Sequence, residues 1–252
     1  MVELVDTHCH LFMEPLCTTP GAVVQRAREA GVTHVVVPAY DAASWNAAAG
    51  LTHLPGVHAA LGLHPWVAGQ PLDLERLESL LRSSQTVALG EIGLDFAIER
   101  FDRQQQIDVL RRQLLLARRL DLPVILHCRK AFDDLIALVR EVGPLRGVAH
   151  AFSRGPELAR QLLELGLHLA FGGAITRPRA HRPRRSAQLV PAERMLLETD
   201  APSIGLEGVA PQDTEPLHVA TIAAELAQLR GCSVEQIAEE TTRNARSLFG
   251  LA

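Results

Sequence analysis

Short apolar runs alternate with longer amphipathic stretches along the whole chain. The runs are apolar on consecutive positions and partly β-branched, which is typical of strands covered on both faces. Eight runs predict strands, at residues 2–7, 33–39, 57–63, 87–92, 123–127, 147–151, 168–172 and 194–199. Strands of this kind occur in parallel sheets with helices on their faces.

The stretches between the runs have helical spacing. Helices are predicted at residues 20–30, 41–54, 103–120, 155–165, 217–229 and 233–248. The first ends before Gly31, a common stop, and Ser153 is a candidate cap for the fourth. Repeated βα units predict an α/β protein, a single (β/α)8 barrel over residues 1–252 with its active site at the carboxyl ends of the strands.

The composition agrees with this fold, and the charge and the missing motifs exclude several classes of protein. The chain has 252 residues, 47% hydrophobic and 21% charged, as expected for one barrel of ordinary globular composition. Its net charge of −4 provides no global basic field for nucleic acid, so such a substrate would need local cations. Nucleophile elbows of the GxSxG type, P-loops and dinucleotide-binding glycine motifs are missing from the sequence.

Cysteine usage and hydropathy suggest where the protein works. The four cysteines show neither CxxC spacing nor a disulfide framework. The first residues run directly into a predicted strand, and no apolar run reaches the roughly 20 residues that a membrane helix needs. We therefore expect a reduced, cytoplasmic protein with no membrane contact and no obligatory protein partner.

Side chains of the kinds that bind metal ions lie at the ends of five of the predicted strands. They are His8, His10, Glu91, His127, His150 and Asp200. Strand ends meet in one mouth of a parallel barrel, so these distant residues would converge. Imidazole and carboxylate groups bind divalent cations, and a glutamate can bridge two ions. The pattern predicts a metal-dependent hydrolase.

Strand alternation refines this set. It places His8 and His10 on one face together with Asp6, and Cys9 on the other. Asp95 is expected in a loop, as a supporting carboxylate, and Glu198 is a candidate partner for a ligand histidine.

Each residue also has an ordinary structural interpretation. His8 and His10 could be a hydrogen-bonded surface pair, and the histidines of the fifth and sixth strands could be satisfied core residues. Glu91 could pair with an arginine, and Asp200 could cap a helix before Ala201.

Several further residues are candidates for substrate binding. His64 could donate to a phosphate or carbonyl oxygen, and Arg129 directly follows His127 together with Lys130. A basic cluster follows the seventh strand: Arg177, Arg179, His181, Arg182, Arg184 and Arg185. Arginine suits phosphate oxygens, although a charge run is often a solvated face.

Taken in order, these segments resemble the TatD family of metal-dependent deoxyribonucleases, within the amidohydrolase-like barrel superfamily. The matching segments are residues 6–11, 62–65, 90–95, 123–131, 150–153, 197–202 and 244–249, so the likeness spans essentially the whole chain.

The resemblance implies two divalent cations, zinc, manganese or magnesium. The first would be held by His8, His10, Glu91 and Asp200, and the second by Glu91 with the histidines at 127 and 150. It also implies hydrolysis of DNA phosphodiesters, in which a hydroxide bridging the cations attacks phosphorus and Asp200 and Glu91 are catalytic. Arg129, His64 and Arg177 would orient the phosphate.

The chain departs from the family pattern in segments expected to face substrate. Thr214 stands where asparagine is frequent, Ala151 where cysteine is common, and Ser153-Arg154 in place of Ser-Gly. Two alternatives stay open. One is a carbonyl-centred metallohydrolase such as an amidase, a lactonase or a D-aminoacyl-tRNA deacylase. The other is a catalytically silent nucleic-acid-binding protein.

Overall fold

Eight parallel strands form one sheet in the order in which they occur along the chain. The computed structural model describes residues 2–83, 86–98 and 102–252. The strands are β1 (Leu4–Asp6), β2 (Val32–Pro38), β3 (Val57–Leu61), β4 (Thr86–Asp95), β5 (Val124–Arg129), β6 (Gly147–Ala149), β7 (His168–Phe171) and β8 (Met195–Leu197). Each strand pairs with its sequence neighbour, as expected of repeated βα units.

The two edge strands approach each other and nearly close the barrel. The backbone nitrogen of Thr7 donates to Leu197 O at 3.0 Å, just beyond the end of β1. Further along, Asp200 N donates to His8 O and His10 N donates to Ala201 O, both at 2.8 Å. The predicted eight-stranded barrel is thereby confirmed.

Helices cover the outside of the sheet. They are α1 (Pro20–Glu29), α2 (Ser44–Gly50), α3 (Leu74–Ser83), α4 (Arg103–Leu120), α5 (Phe132–Val142), α6 (Pro156–Glu164), α7 (His181–Leu189), α8 (Val219–Arg230) and α9 (Val234–Phe249). The six predicted helices are confirmed with small shifts at their ends, while α3, α5 and α7 were not predicted. The predicted cap Ser153 is wrong, because Gly155 holds the N-cap position of α6 without a side-chain bond.

One residue from each strand packs in a ring inside the barrel. The ring consists of Val5, Val36, Ala60, Ala88, Ile125, Val148, Ala170 and Leu196. Leu248 and Phe249 of α9 pack against it together with Leu251, and so fill the amino-terminal end of the barrel. The carboxyl end is left as the place where polar side chains can gather.

A register shift in β4 turns Glu91 toward that end. The pairing of β4 with β5 is irregular between Leu89 and Ile92, as in a β-bulge, which adds one residue to one strand. Ile92 therefore packs in the outer core, and its neighbour Glu91 faces the mouth. β4 then continues to Asp95, so the prediction of a loop there is wrong.

All four cysteines have free thiols, in agreement with the predicted lack of a disulfide framework. No helix in the described ranges combines the length and the apolar character that crossing a bilayer would require. The assignment of residues 1–252 to a single domain stays a prediction.

Candidate metal centre

Two histidines and two carboxylates meet at the mouth of the barrel. His8 Nε2 lies 3.2 Å from His10 Nε2 and 3.3 Å from Glu91 Oε2. Asp200 Oδ1 lies 3.4 Å from His10 Nε2 and 3.8 Å from His8 Nε2. His10 Nε2 and Glu91 Oε2 are 3.6 Å apart. Strand ends far apart in sequence thus place four potential ligand atoms around one point.

The size of this group fits a divalent cation. In a regular tetrahedron the corners are about 1.6 times as far from each other as from the centre, so ligands at about 2.0–2.1 Å from zinc lie roughly 3.3 Å apart. The measured separations of 3.2–3.8 Å bracket that value. Because these side chains are buried, a cation would also offset the desolvation of their carboxylates.

The other oxygen of Glu91 faces a second group. Glu91 Oε1 lies 2.8 Å from His150 Nε2, 3.0 Å from His127 Nδ1 and 3.2 Å from His64 Nε2. His127 Nδ1 and His150 Nε2 are 3.2 Å apart. The two carboxylate oxygens of Glu91 are therefore divided between two groups of imidazoles, as a bridging ligand requires.

Hydrogen bonds on the far side of two rings prepare their other nitrogen for a cation. His10 Nδ1 lies 3.0 Å from Pro38 O, which can only accept, so this nitrogen carries the proton. His127 Nε2 lies 3.3 Å from Asp95 Oδ2, and its Nδ1 is directed at Glu91. In the neutral form of both rings the lone pair therefore points into the cluster, an orientation common in metal-binding histidines.

His64 is arranged differently. Its Nδ1 accepts a hydrogen bond from Trp66 N at 3.1 Å, and burial lowers the pKa of the ring to about 4. The neutral ring must then carry its proton on Nε2, which faces Glu91. This arrangement supports the predicted role of a hydrogen-bond donor rather than that of a ligand.

Charge in the cluster favours ionised carboxylates. Burial alone would raise the pKa of Glu91, but His150, His64 and His8 hold it well below its ordinary value. Burial likewise opposes ionisation of Asp200, and the neighbouring His10 and His8 lower its pKa. Anionic oxygens are the form that binds cations.

Behind the ligands, three buried polar atoms have no hydrogen-bond partner among the described residues: His8 Nδ1, His150 Nδ1 and Glu198 Oε2. Glu198 Oε1 accepts from Ala151 N and lies 3.7 Å from His150 Nδ1. Glu198 is therefore close to a candidate ligand, as predicted, although it makes no direct hydrogen bond to the histidine.

Asp6, which strand alternation places on the same face as His8 and His10, is not one of the clustered side chains. β1 ends at Asp6, and the carboxylate of this residue accepts hydrogen bonds from Thr199 N (2.9 Å), Thr199 Oγ1 (2.6 Å) and His8 N (3.2 Å). Regular alternation stops where the strand stops. Asp6 instead ties the segment that carries His8 to the one that carries Asp200.

A cavity of 490 Å³ opens above the cluster. Its walls include the predicted Arg129 and His64, and three residues that were not predicted: Tyr40, Trp66 and Arg154. Arg154 belongs to the Ser153-Arg154 pair that departs from the family pattern, and this departure was the sequence signal that could have identified it. For Trp66 the available signal was its position directly after His64-Pro65, next to a candidate substrate-binding residue.

The basic cluster after β7 divides in the structure. Arg177 lines an adjoining cavity of 290 Å³ that also contains Asp200, and its Nη2 donates to Gly205 O at 2.9 Å. Arg184 instead donates to Ile175 O and to Glu225, away from the mouth. Most of this cluster therefore lies on α7, and only Arg177 borders the site.

The other departures have different surroundings. Ala151 and Ser153 line the cavity, whereas Thr214 is buried and its hydroxyl donates to Ala210 O at 3.1 Å. The substitution at Thr214 thus supports a turn and does not face the cavity.

Asp95 connects the cluster to its surroundings. Its buried Oδ2 lies 2.8 Å from Trp66 Nε1, 3.3 Å from His127 Nε2 and 3.4 Å from Arg129 Nη1. Burial would raise the pKa of Asp95, but the bonds from His127 and Trp66 lower it to about 2. The ionised carboxylate fixes the orientation of a candidate ligand.

We expect Asp95→Asn to weaken binding of one cation about 10- to 100-fold, because the ring of His127 loses its anionic partner. Competition with a chelating dye measures this affinity. Asp108→Asn is the matched control, since Asp108 is exposed on α4. Unchanged affinity in Asp95→Asn would show that this carboxylate does not orient the ligand.

Comparison with known proteins agrees with the fold and with this site. The model of the TatD related DNase family matches residues 5–250. The metal-dependent hydrolase YjjV of Escherichia coli is 39% identical, over 99% of this chain and 98% of its own. The crystal structure of a TatD homologue, YjjV of E. coli, superposes with a TM-score of 0.94 at 35% identity, and covers 100% of this chain and 99% of that one.

A further relative, named a 3′-5′ ssDNA/RNA exonuclease TatD, comes from Erwinia amylovora. It is 35% identical over 91% of this chain and 93% of its own. The barrel and its buried His/Glu/Asp cluster define a metal-dependent hydrolase. Within that class, the chain belongs to the TatD-related DNase family, which confirms the resemblance.

Proposed function

We propose that this enzyme hydrolyses phosphodiester bonds of nucleic acid with two divalent cations. The observation that supports this most is the division of Glu91, whose Oε2 faces His8 and His10 and whose Oε1 faces His127 and His150. Asp200 completes the first group. The donor set of imidazoles and carboxylates fits zinc, manganese or magnesium.

Cations held there would activate a water molecule and stabilise the negative charge that develops on the phosphoryl oxygens. The chain's own residues hold and orient the reacting groups. Asp200 borders the cavity and is positioned to accept a proton from the attacking water. His64 lines the same cavity with a neutral ring, whose Nε2–H can donate a hydrogen bond to a phosphoryl oxygen.

Cationic side chains at the mouth favour a phosphodiester over a neutral carbonyl substrate. Arg129 and Arg154 line the main cavity and Arg177 the adjoining one, on a chain of net charge −4. Arginine pairs well with phosphate oxygens. The exonuclease name of the Erwinia relative supports nucleic acid as the substrate, and the free cysteines support a reducing cytoplasm.

A substrate panel tests this proposal. Metal-loaded enzyme is incubated with end-labelled single- and double-stranded DNA, an aryl ester and a charged D-aminoacyl-tRNA. We expect cleavage of DNA alone, loss of cleavage after dialysis against a chelator, and recovery when manganese or zinc is added back. Intact DNA alongside turnover of the ester or of the aminoacyl-tRNA would contradict the phosphodiesterase assignment.

A further inference from the structure

We propose that Trp66 is a stacking platform for the base of the nucleotide whose phosphodiester enters the metal centre, so that the enzyme prefers unpaired nucleotides. This inference rests on the proposed function and adds to it a residue that selects the form of the substrate. It depends on the exposure of the indole, on the contacts that hold its ring, and on the carboxylate that it shares with Arg129, a candidate phosphate-binding residue.

Part of the Trp66 ring is open to solvent inside a cleft, beyond what its contacts with His64 and His127 cover. Its side chain is 48% exposed and lines the cavity above the metal centre. The other large exposed hydrophobic residues in the described ranges are Leu115 on α4 and Leu189 on α7, and neither borders that cavity. Solvent-exposed aromatic rings inside a cleft are the usual platforms for bases, because every base presents a flat π-face.

The indole is held in one orientation before any ligand arrives. Trp66 Nε1 donates to Asp95 Oδ2 at 2.8 Å. The ring packs edge-to-face with His64, with centroids 4.7 Å apart and planes at 77°, and with His127 at 6.2 Å and 70°. A ring fixed in this way loses little conformational entropy when a base stacks on it, so more of the stacking energy appears as affinity.

The platform and the candidate phosphate-binding arginine share one carboxylate. Asp95 Oδ2 also lies 3.4 Å from Arg129 Nη1 and 3.3 Å from His127 Nε2. A nucleotide whose base lies on Trp66 thus has its phosphate within the reach of Arg129 and beside a candidate metal ligand. Base, phosphate and reacting bond are then placed by groups that a single buried residue holds together.

Stacking on a protein ring requires a base with a free face. In the interior of a duplex both faces are covered by neighbouring bases, whereas an unpaired terminal nucleotide can offer one. Trp66 should therefore favour single-stranded ends while reading no particular base. Stacking platforms contribute about 10- to 100-fold in affinity for each base.

The kinetic test uses pairs of single-stranded oligonucleotides that differ only in the terminal nucleotide, which carries a base or is a tetrahydrofuran abasic analogue. Each end is tested separately. We expect wild type to prefer the base-bearing form about 10- to 100-fold in kcat/KM. Trp66→Ala should lose this preference because kcat/KM falls for the base-bearing substrate and stays unchanged for the abasic one. Trp66→Phe keeps an aromatic ring but not the N–H, and it should retain most of the preference.

The matched control is Leu189→Ala, which removes a side chain of similar exposure (55%) outside the cavity and should leave the preference unchanged. Metal content measured for every variant separates stacking from loss of the site. If Trp66→Ala keeps the preference, or if Trp66→Phe loses it as fully as Trp66→Ala does, the platform is wrong while the nuclease assignment stands. No cleavage of any oligonucleotide by wild type overturns the proposed function and this inference with it.

Fluorescence gives a second readout that does not depend on turnover. The chain has two tryptophans, and Trp45 is fully buried. Turnover is suppressed by working at 4 °C with calcium in place of the catalytic cation, or by using a variant with a low kcat. Binding of oligothymidylate under these conditions should quench the emission of Trp66. Trp66→Phe should show no quenching, because only the buried indole remains. Equal quenching in Trp66→Phe would place the base elsewhere.

Discussion

Glu91→Gln should lower kcat/KM for DNA by at least about 10³-fold and leave less than one cation firmly bound per chain. Both carboxylate oxygens of Glu91 are engaged, one with each group of histidines. Glutamine keeps a single weak oxygen ligand and presents an amide N–H₂ to the other group. Elemental analysis of the dialysed protein and the oligonucleotide assay measure the two effects.

The matched control for this change is Glu141→Gln. Glu141 is exposed and pairs with Arg111 on the outside of the barrel, so metal content and rate should stay at the wild-type level. Circular dichroism shows whether both variants fold. A folded Glu91→Gln protein with normal metal content would remove the basis for a bridging role.

Asp200→Asn should lower kcat about 10²- to 10⁴-fold while retaining one tightly bound cation. Among the described residues, Asp200 Oδ1 pairs with His8 and His10, so the histidines around Glu91 Oε1 are left in place. The expected difference from Glu91→Gln is therefore in stoichiometry as well as rate. Isothermal titration with manganese separates one site from two.

Asp213→Asn provides the control, since Asp213 is exposed in the segment that follows β8. It should bind metal and cleave DNA as the wild type does. Wild-type turnover by Asp200→Asn would show that this carboxylate neither holds a cation nor acts on the water.

The sequence predicted the barrel because its signals are local and repeated. Each strand is a short apolar run, and several of the connections have a helical period, so eight strands could be counted without knowing any contact. The helices that escaped prediction carry weaker signals. In α7, for example, the buried residues are Pro183, Ser186 and Ala187, and three arginines obscure the short apolar stripe.

The identity of the clustered residues could also be predicted, because ligand-type side chains stood at strand ends. The details of their placement could not. Simple alternation put Asp6 beside His8, but the strand ends at Asp6 and the carboxylate turns to Thr199. Alternation also cannot locate Glu91, because a register shift in β4 decides which way this side chain points.

Contacts between side chains of different elements were beyond the sequence for a different reason. Asp95, at the end of β4, gains its importance from Trp66 and from two side chains of β5, His127 and Arg129. Such convergence depends on strand register and on the path of the segment after β3, for which one sequence offers no periodic signal. We propose that these contacts decide the choice of substrate, so the predictions for Trp66 and Asp95 examine what the sequence left open.

The most direct test of the two-cation centre is a crystal structure of manganese-loaded enzyme with anomalous difference maps. We expect two peaks about 3.5–4 Å apart, one on each side of the Glu91 carboxylate. One should lie among His8, His10 and Asp200, and the other beside His127. A single peak, or two peaks that do not share Glu91, would contradict the account.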